Sequence, residues 1–310
     1  MRYNCLILCM SKILIAGGTG LIGSNLVNKL KQKKHEIVLL STQRLKSNSV
    51  DTFYWNPETN TFPSIDLQSI DACINFCGAA IFDKAFTVER KAELTRSRVL
   101  PIQFLIQQFK QANCRLPYFI SASATGIYPN ICLNELHEDS TMGNNFISKL
   151  VKEWEDTIFS FSETSDIQCA LRIGIVFSDK GGFLDQLAKP IRLFAGAIPG
   201  SGQQVISWIH INDLTDLFIH AVENKLSGIY NAVGPHPNTL KNITKQVADA
   251  LHRPLFLPNI PEWALKLLFG NERYELLLCS QQVKNDKIMS TGFHFSYDQS
   301  QIAINNLLKK

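Results

Sequence analysis

The fold is decided by residues 12–33, which read KILIAGGTGLIGSNLVNKLKQK. The apolar run within Lys12–Ala16 has the length of a buried strand, and it leads directly into a turn with four glycines in seven residues. Beyond the turn, apolar residues recur at helical spacing from Leu21 to Leu30. Strand, glycine-rich turn and amphipathic helix in this order predict the first unit of a parallel α/β sheet.

The glycines of this turn indicate what the unit binds. Gly17 permits a tight turn, Gly20 lets the backbone approach a pyrophosphate, and Gly23 lets the helix pack closely on the strand. The free amides and the positive end of the helix dipole would then receive the phosphates. The alternative is a glycine-rich turn that binds nothing. The predicted dinucleotide-binding residues of the turn are Gly17, Thr19, Gly20, Leu21, Ile22 and Gly23.

The rest of the chain alternates between strand-length apolar runs and helix-length segments. Strands are predicted at 12–16, 36–41, 71–76, 118–122, 168–175, 207–211 and 228–233. Helices are predicted at 21–33, 88–112, 148–162 and 213–223, with Pro101 bending or breaking the second. The fold class is therefore α/β, a Rossmann-type doubly wound parallel sheet of about seven strands.

The domain organisation is inferred from changes in amino-acid composition along the chain. Residues 1–10 are interpreted as an N-terminal extension, with Met10 as an alternative start. Residues 11–235 form the dinucleotide-binding domain, which includes a glycine- and proline-rich insertion at 180–205. Residues 236–310 form a small, mainly helical C-terminal domain, which with the insertion builds a substrate lobe.

The end of the second predicted strand distinguishes the two nicotinamide cofactors. NAD sites usually place a carboxylate there for the ribose 2′-hydroxyl. In this chain Ser41, Thr42, Gln43 and Arg44 follow, and the first carboxylate is Asp51. Arg44 can pair with a 2′-phosphate, and its alternative role is that of a solvated loop residue. We therefore predict NADP(H) in preference to NAD(H), bound in part by Thr42 and Arg44.

Composition excludes several other classes of function. Lys and Arg exceed Asp and Glu by only four charges, scattered along the chain, so we expect no nucleic-acid partner. No uninterrupted apolar run reaches the ~18 residues of a membrane span. The eight cysteines contain no C-x-x-C pair, so neither a metal site nor disulfides are predicted. We expect a cytoplasmic protein with a small-molecule substrate, and a homodimer is compatible with the sequence.

The chain contains the motifs GGTGLIG at 17–23, INFCG at 74–78, SASATGIY at 121–128, LRIG at 171–174 and SWIHIND at 207–213. These motifs resemble those of extended short-chain dehydrogenases/reductases. More narrowly, the chain is similar to the atypical branch described as NAD-dependent epimerase/dehydratase-like or sugar-nucleotide epimerase-like. The resemblance covers nearly the whole chain from residue 11, and the tail is similar to the small C-terminal domain of that branch.

This resemblance implies a catalytic set. The family uses Ser to orient the substrate oxygen, Tyr as acid or base, and Lys to hold the ribose and lower the pKa of the Tyr. It places Ser123 as the Ser, with Ser121 a close competitor, and Lys149 as the Lys. The Tyr should lie four residues before the Lys, where this chain has Asn145, which cannot ionise. Either another group replaces the Tyr, or catalysis has been lost.

Three side chains are candidates for that replacement. Tyr128 lies near the serine-bearing loop, and its alternative role is that of a packed aromatic residue. His210 lies on a strand that the family places near the substrate, with a core histidine as the alternative. Glu155 fits the exposed surface of its helix better than it fits the site.

The remaining candidates are assigned from position. Asn75 and Gly78 end a strand at the ligand-binding edge of the sheet and are predicted to contact ribose and nicotinamide, or else to serve as a cap and a turn. Arg98 is predicted to reach the cofactor or an acidic substrate, or to form an exposed salt bridge. Trp208 is predicted either to stack on the substrate or to pack in the core. Arg172 lies in an apolar strand, where a buried arginine needs a partner, and we interpret its role as structural.

Two functions remain open from the sequence. The first is an NADP(H)-dependent oxidoreductase or epimerase that acts on a small carbonyl or sugar-like substrate, with Ser123 polarising the carbonyl and Lys149 fixing the ribose. The second is an NADP-binding regulatory or sensor protein with little turnover. Asn145 favours the second function, whereas the retained Ser123 and Lys149 favour the first.

Overall fold

A seven-stranded parallel sheet organises the protein, seen in a computed structural model that describes residues 10–43 and 50–309. From one edge to the other, its strands are Gly228–Ala232, Ser165–Ile173, Leu116–Ala124, Ala72–Asn75, Lys12–Ala16, Glu36–Ser41 and Asp51–Tyr54, and each neighbouring pair is parallel. The chain starts in the middle of the sheet, builds one half, and then crosses to build the other. This doubly wound arrangement confirms the predicted fold class.

Strands and helices are interspersed among the described residues from Lys12 to Ala232. The first part consists of β1 (Lys12–Ala16), α1 (Leu21–Gln32), β2 (Glu36–Ser41), β3 (Asp51–Tyr54), β4 (Ala72–Asn75), α2 (Val88–Gln111), β5 (Leu116–Ala124), β6 (Ile131–Leu136), α3 (Phe146–Ser160) and β7 (Ser165–Ile173). The second part consists of β8 (Ile175–Phe177), α4 (Phe183–Arg192), β9 (Val205–Ile206), β10 (Trp208–His210), α5 (Ile211–Glu223) and β11 (Gly228–Ala232).

The C-terminal region contains β12 (Asn238–Thr239), α6 (Leu240–Ala250), α7 (Glu262–Phe269), α8 (Asn271–Leu277), β13 (Ser280–Val283), α9 (Asp286–Met289) and α10 (Ser300–Leu308). Its strands return to the body of the protein, because β13 pairs with β6 and β12 pairs with β9. Among the described residues, no helix combines the length and apolarity needed to cross a membrane.

Three local expectations differ from the structure. Strand β3 was not predicted because it lies at the edge of the sheet, where its residues are exposed or half-buried and lack an apolar run. Helix α2 is not broken, since it continues through a buried Pro101. The predicted strand at 207–211 is shorter and does not join the main sheet, because Trp208–His210 pairs with β8 instead.

The core is divided between the sheet and a second cluster. The larger cluster fills the space between the main sheet and its flanking helices. The second joins β8, β10 and α4 to helices α6 and α10 of the tail, with Phe177, Trp208 and Leu240 fully buried within it. The insertion and the tail thus share apolar contacts. The domain boundary between residues 235 and 236 and the substrate lobe stay predictions. Residues 1–9 of the predicted extension lie outside the described residues.

Candidate cofactor and substrate site

The glycine turn has the geometry that phosphate binding requires. Gly17 has a φ of +77°, and a Cβ there would lie 2.8 Å from the carbonyl carbon of Phe76. A Cβ on Gly23 would lie 2.5 Å from the Cα of Gly18, so only glycine lets α1 pack on the turn. At Gly20 the nearest atom to a Cβ is 3.5 Å away, which leaves room on the solvent side. Steric demand therefore explains Gly17 and Gly23, but not Gly20.

The start of helix α1 faces open space. Gly20 is its N-cap and provides no side-chain hydrogen bond, so the first amides of α1 are not capped by that residue. Thr19 and Gly20 are exposed, whereas Leu21 and Ile22 are half-buried. A Cβ on Gly182 would lie 3.6 Å from Leu21, so the loop after β8 approaches this end of the helix. Uncapped amides at a positive helix end are suited to an anion.

A groove of about 470 Å³ extends from the turn across the edge of the sheet. One wall is formed by Ser41 and Thr42 at the end of β2, and the floor by Cys77 and Gly78 after β4. Burial raises the pKa of the Cys77 thiol to about 12, so this part of the floor is neutral. Arg44, which was predicted to bind a 2′-phosphate, lies outside the described residues.

The far wall of the groove was not predicted. It contains Trp55 and Glu58, which follow β3, and Arg96 from α2. The Arg96 Nε lies 3.1 Å from Glu58 Oε1, and both side chains are more than half exposed. Trp55 and Pro57 were the available signals for this wall, but Arg96 lies 38 residues beyond its partner Glu58 in the chain.

Asn75 holds in place the residues that form the floor of the groove. It is fully buried, its Nδ2 donates to Ser121 Oγ at 3.0 Å, and its Oδ1 accepts from the Cys77 amide at 3.2 Å. Ser121 is also fully buried and donates to the carbonyl of Ala122 at 2.9 Å. The two side chains hold the ends of β4 and β5 together. Contact of Asn75 and Ser121 with ribose or nicotinamide stays a prediction.

Arg98 lies directly beneath Gly78. Its side chain is buried, donates to the carbonyls of Leu94 and Ala79 at 3.0 and 3.1 Å, and packs over Trp154. A Cβ on Gly78 would lie 3.2 Å from the guanidinium carbon. Burial lowers the pKa of Arg98 to about 10, which leaves it cationic at neutral pH. Arg98 forms no salt bridge with any described residue, so the exposed salt bridge considered from the sequence is not seen there. Its positive charge lies just under the floor of the groove.

The predicted catalytic Ser123 belongs to a buried polar network. Its Oγ donates to Glu155 Oε1 at 2.6 Å, and Arg172 donates to both oxygens of the same carboxylate at 2.8 Å. The three residues are only 2%, 3% and 5% exposed, respectively. The interpretation of Glu155 as a residue of the helix surface is therefore wrong, because it neutralises the buried Arg172. The structural role expected for Arg172 agrees with this pairing.

Tyr128 is part of the same network. It is fully buried, donates to Asn231 Oδ1 at 2.7 Å, and accepts from Arg172 at 2.9 Å. Burial is the main cause of the raised pKa of its hydroxyl. The packed-aromatic role considered from the sequence agrees with this position, and a catalytic role stays a prediction that needs the network to open.

Asn145 begins helix α3. Its Oδ1 accepts from the Ser148 amide at 2.9 Å, and its Nδ2 donates to Asn130 Oδ1 at 3.0 Å. A phenol cannot make this capping contact, so the residue found where the family has Tyr is explained by the start of the helix. Lys149 lies one turn further along and is exposed. Thr125 is half-buried in the turn just beyond β5. Ser148 Oγ donates to the carbonyl of Gly126 in the same turn at 3.0 Å.

Trp208 and His210 lie away from the groove. Trp208 is fully buried, stacks on Phe177 at 4.9 Å, and donates to the carbonyl of His236 at 2.9 Å. His210 is fully buried, stacks on Tyr297 at 3.7 Å, and caps α5 by accepting from the Asn212 amide at 3.0 Å. Burial lowers the pKa of His210 to about 4, so it is neutral at pH 7. Both positions agree with the core roles considered from the sequence.

A second, smaller cavity of about 190 Å³ opens beside the start of α3. Asn130, Asn145 and Phe146 line it from one side, and Glu272 and Glu275 of α8 line it from the other. The sequence did not indicate the two carboxylates, because α8 approaches α3 only through the tertiary fold.

The strand order and the glycine turn define the Rossmann class of α/β proteins. The chain belongs to the NAD-dependent epimerase/dehydratase family, whose model matches residues 13–233, and this confirms the resemblance inferred from its motifs. A second model, for a domain of unknown function called DUF1731, matches residues 260–307.

Individual relatives agree with this assignment. An epimerase family protein of Staphylococcus aureus strain MRSA252 is 33% identical over 97% of this chain and 100% of its own length. The human epimerase family protein SDR39U1 (isoform 2), crystallised with NADPH, is 28% identical with a TM-score of 0.85, over 96% of this chain and 99% of the human chain. A nucleoside-diphosphate sugar epimerase from Corynebacterium glutamicum is 27% identical with a TM-score of 0.76, over 97% of this chain and 59% of that one.

Proposed function

We propose that the protein binds NADP(H) in the 470 Å³ groove and catalyses hydride transfer on a small carbonyl or alcohol. The observation that carries the proposal is the uncapped start of α1, which opens into this groove beside Ser41 and Thr42. Strand β2 ends in hydroxyl groups and not in the carboxylate of an NAD site. The NADPH in the human relative supports the same cofactor.

The residues of the groove fit a dinucleotide. The main chain of Gly17, Thr19 and Gly20 would hold the pyrophosphate, and Arg98 would stabilise it electrostatically from beneath Gly78. Thr42 and Arg44 would hold the 2′-phosphate, and Lys149 the ribose of the nicotinamide. When bound, NADP(H) supplies the hydride donor or acceptor.

The substrate would lie between the ends of β5 and α3. Ser123 is buried and donates to Glu155, whereas Thr125 is half-buried at the same edge. Among the described residues no hydrogen bond is formed by the Thr125 hydroxyl. We therefore assign the orientation of the substrate oxygen to Thr125 as well as to Ser123. Proton exchange with solvent through Lys149 would replace the family's Tyr.

A second function rests on a specific observation. The side chains of Asn145, Tyr128 and Ser123 all hold structural hydrogen bonds, so no group in the Tyr position is available as a proton donor. A protein that binds NADP(H) and reports its presence, with little turnover, has the same groove. The two functions differ in chemistry but not in cofactor binding.

Lys149→Met tests the proposal, with Lys152→Met as a matched control. Both lysines are exposed on α3. Lys149 lies one turn from Asn145, beside the proposed site, whereas Lys152 lies a further turn away and pairs with Asp156 at 2.5 Å. We expect NADPH fluorescence titration to show about tenfold weaker binding for Lys149→Met, as loss of a charged hydrogen bond requires, and an unchanged Kd for the control. Absence of NADPH binding by the folded wild type would refute both functions.

A carbonyl panel then separates the two functions. Turnover of any member that falls with both Thr125→Val and Lys149→Met supports the enzyme. Tight NADPH binding without oxidation of NADPH by any member supports the sensor.

A further inference from the structure

The cavity of about 190 Å³ beside α3 lies next to the position where the family places its proton donor. Asn145 occupies that position and lines the cavity together with Asn130. Lys149, the proposed ribose-binding residue, lies one helical turn beyond Asn145. An inference about what enters this cavity therefore rests on the proposed function and concerns its substrate.

One side of the cavity is suited to hydroxyl or carbonyl groups next to an apolar surface. The Asn145 amide donates to Asn130 Oδ1, and no hydrogen bond is formed by the Asn130 amide nitrogen within the described part of the chain. Phe86 and Phe146 pack edge to face at 5.9 Å and form the adjoining wall. An amide donor beside aromatic rings matches the oxygen and the carbon skeleton of a small carbonyl or alcohol and has no charge to match a phosphate.

The other side of the cavity is acidic. Glu272 and Glu275 both line it from helix α8. Lys91 donates to Glu272 at 2.5 Å and lies over the Phe146 ring at 5.3 Å. None of the described residues that line the cavity is Lys or Arg. Glu272 is paired with Lys91, but Glu275 forms no ion pair among the described residues. A phosphate or diphosphate would meet the uncompensated carboxylate of Glu275, and the energetic cost of close like charges disfavours such a ligand.

Helix α8 forms the C-terminal side of the cavity. Besides the Lys91–Glu272 pair, Arg273 donates to the carbonyl of Phe82 at 2.7 Å, so α8 is attached to the loop that follows β4. Arg273 is directed to that loop and packs over Phe269, away from the cavity lining. The resulting volume of about 190 Å³ is smaller than the roughly 300 Å³ at the lower end of pockets for drug-sized ligands.

We infer that this cavity binds the substrate and that the substrate is a small, phosphate-free carbonyl or alcohol, neutral or cationic, and not a nucleoside diphosphate sugar. The tail selects it, because Glu272 and Glu275 belong to the C-terminal region that the second family model matches. Hydride transfer to such a carbonyl oxidises NADPH and forms the alcohol, with one proton taken from solvent.

The test compares glyceraldehyde, glyceraldehyde 3-phosphate and UDP-glucose on the full chain saturated with NADPH. Ligand-observed saturation-transfer NMR measures binding without requiring turnover, and NADPH absorbance measures turnover. The variants are Glu275→Lys, which places a cation at the cavity, and Glu153→Lys, which makes the same charge change on the exposed surface of α3.

We expect wild type to bind glyceraldehyde at least about tenfold more tightly than its phosphate, a difference of about 1.4 kcal/mol. Glu275→Lys should reduce this ratio about fivefold or more, and Glu153→Lys should leave it within about twofold. Tighter binding of the phosphate or of UDP-glucose, no detectable binding of glyceraldehyde, or equal responses of the two variants would overturn the inference. NADPH titration distinguishes this failure from failure of the proposed function, because it reports on the groove alone.

Discussion

Ser123 Oγ donates to Glu155 Oε1 at 2.6 Å, and the carboxylate that accepts this bond also neutralises the buried Arg172. The resemblance placed Ser123 at the substrate, but its hydroxyl hydrogen is used inside the protein. Any contact between Ser123 and a substrate oxygen must therefore use the lone pairs of the serine, or must displace the carboxylate. The pair joins the end of β5 to α3, and so it sets the spacing between the two elements that carry the site.

Glu155→Gln should destabilise the protein by about 3–5 kcal/mol, because it leaves the buried guanidinium of Arg172 without a counter-charge. The control is Asp156→Asn, the next residue of α3, whose pair with Lys152 is exposed and should contribute less than about 1 kcal/mol. Urea unfolding followed by circular dichroism measures both. Similar losses of unfolding free energy in the two variants would contradict a structural role for the buried pair.

The glycine turn gives a paired prediction. Gly20→Ala should keep the stability of the wild type, because the nearest atom to its Cβ is 3.5 Å away, yet weaken NADPH binding about tenfold by keeping the pyrophosphate away from the amides. Gly23→Ala should instead lower the free energy of unfolding by about 1–3 kcal/mol, because its Cβ meets backbone atoms at 2.5 Å. Thermal unfolding and fluorescence titration separate the two effects. The assignment fails if Gly20→Ala binds NADPH as tightly as wild type.

The parts of the fold that could be predicted depend on short stretches of sequence. The turn from Gly17 to Gly23 carries its own steric requirements, and the apolar period of α1 is visible within a dozen residues. Strand β3 could not be predicted, because an edge strand with half-buried residues has no distinctive pattern.

The parts of the site that could not be predicted depend on partners distant in sequence. Glu155 looks like a surface residue of α3 until β7 brings Arg172 against it. The sequence shows that Asn145 stands where the family has an ionisable Tyr. The capping contact of Asn145 with Ser148 and its bond to Asn130 are properties of the folded loop and could not be predicted. The acidic side of the smaller cavity, which Glu272 helps to line, likewise forms only when the tail folds back against α2.

The Glu58–Arg96 pair should tune the affinity for the phosphorylated cofactor. Glu58→Gln removes a negative charge from the groove and frees Arg96, so NADPH should bind about two- to fivefold more tightly, whereas Arg96→Gln should weaken it by a similar factor. NADH, which lacks the 2′-phosphate, should change less than twofold in either variant. Titrations at low and high salt provide the check, since both effects must shrink as screening increases. Equal changes for NADPH and NADH would place the pair away from the 2′-phosphate.

His210 should make stability depend on pH. Burial lowers its pKa from 6.5 to about 4, so as the pH falls the unfolded chain takes up a proton that the folded protein refuses. The stabilisation is therefore complete above pH 6.5 and is lost between pH 6.5 and about 4, at no more than about 1.4 kcal/mol per pH unit.

His210→Asn keeps a capping acceptor for the Asn212 amide but removes the titration, so its unfolding free energy should decline less steeply across this window. Loss of the contact with Tyr297 lowers its stability at every pH and does not affect the slope. His236→Gln, at an exposed position, should keep the wild-type slope in urea unfolding. Parallel curves for His210→Asn and wild type would show that His210 does not resist protonation in the folded state.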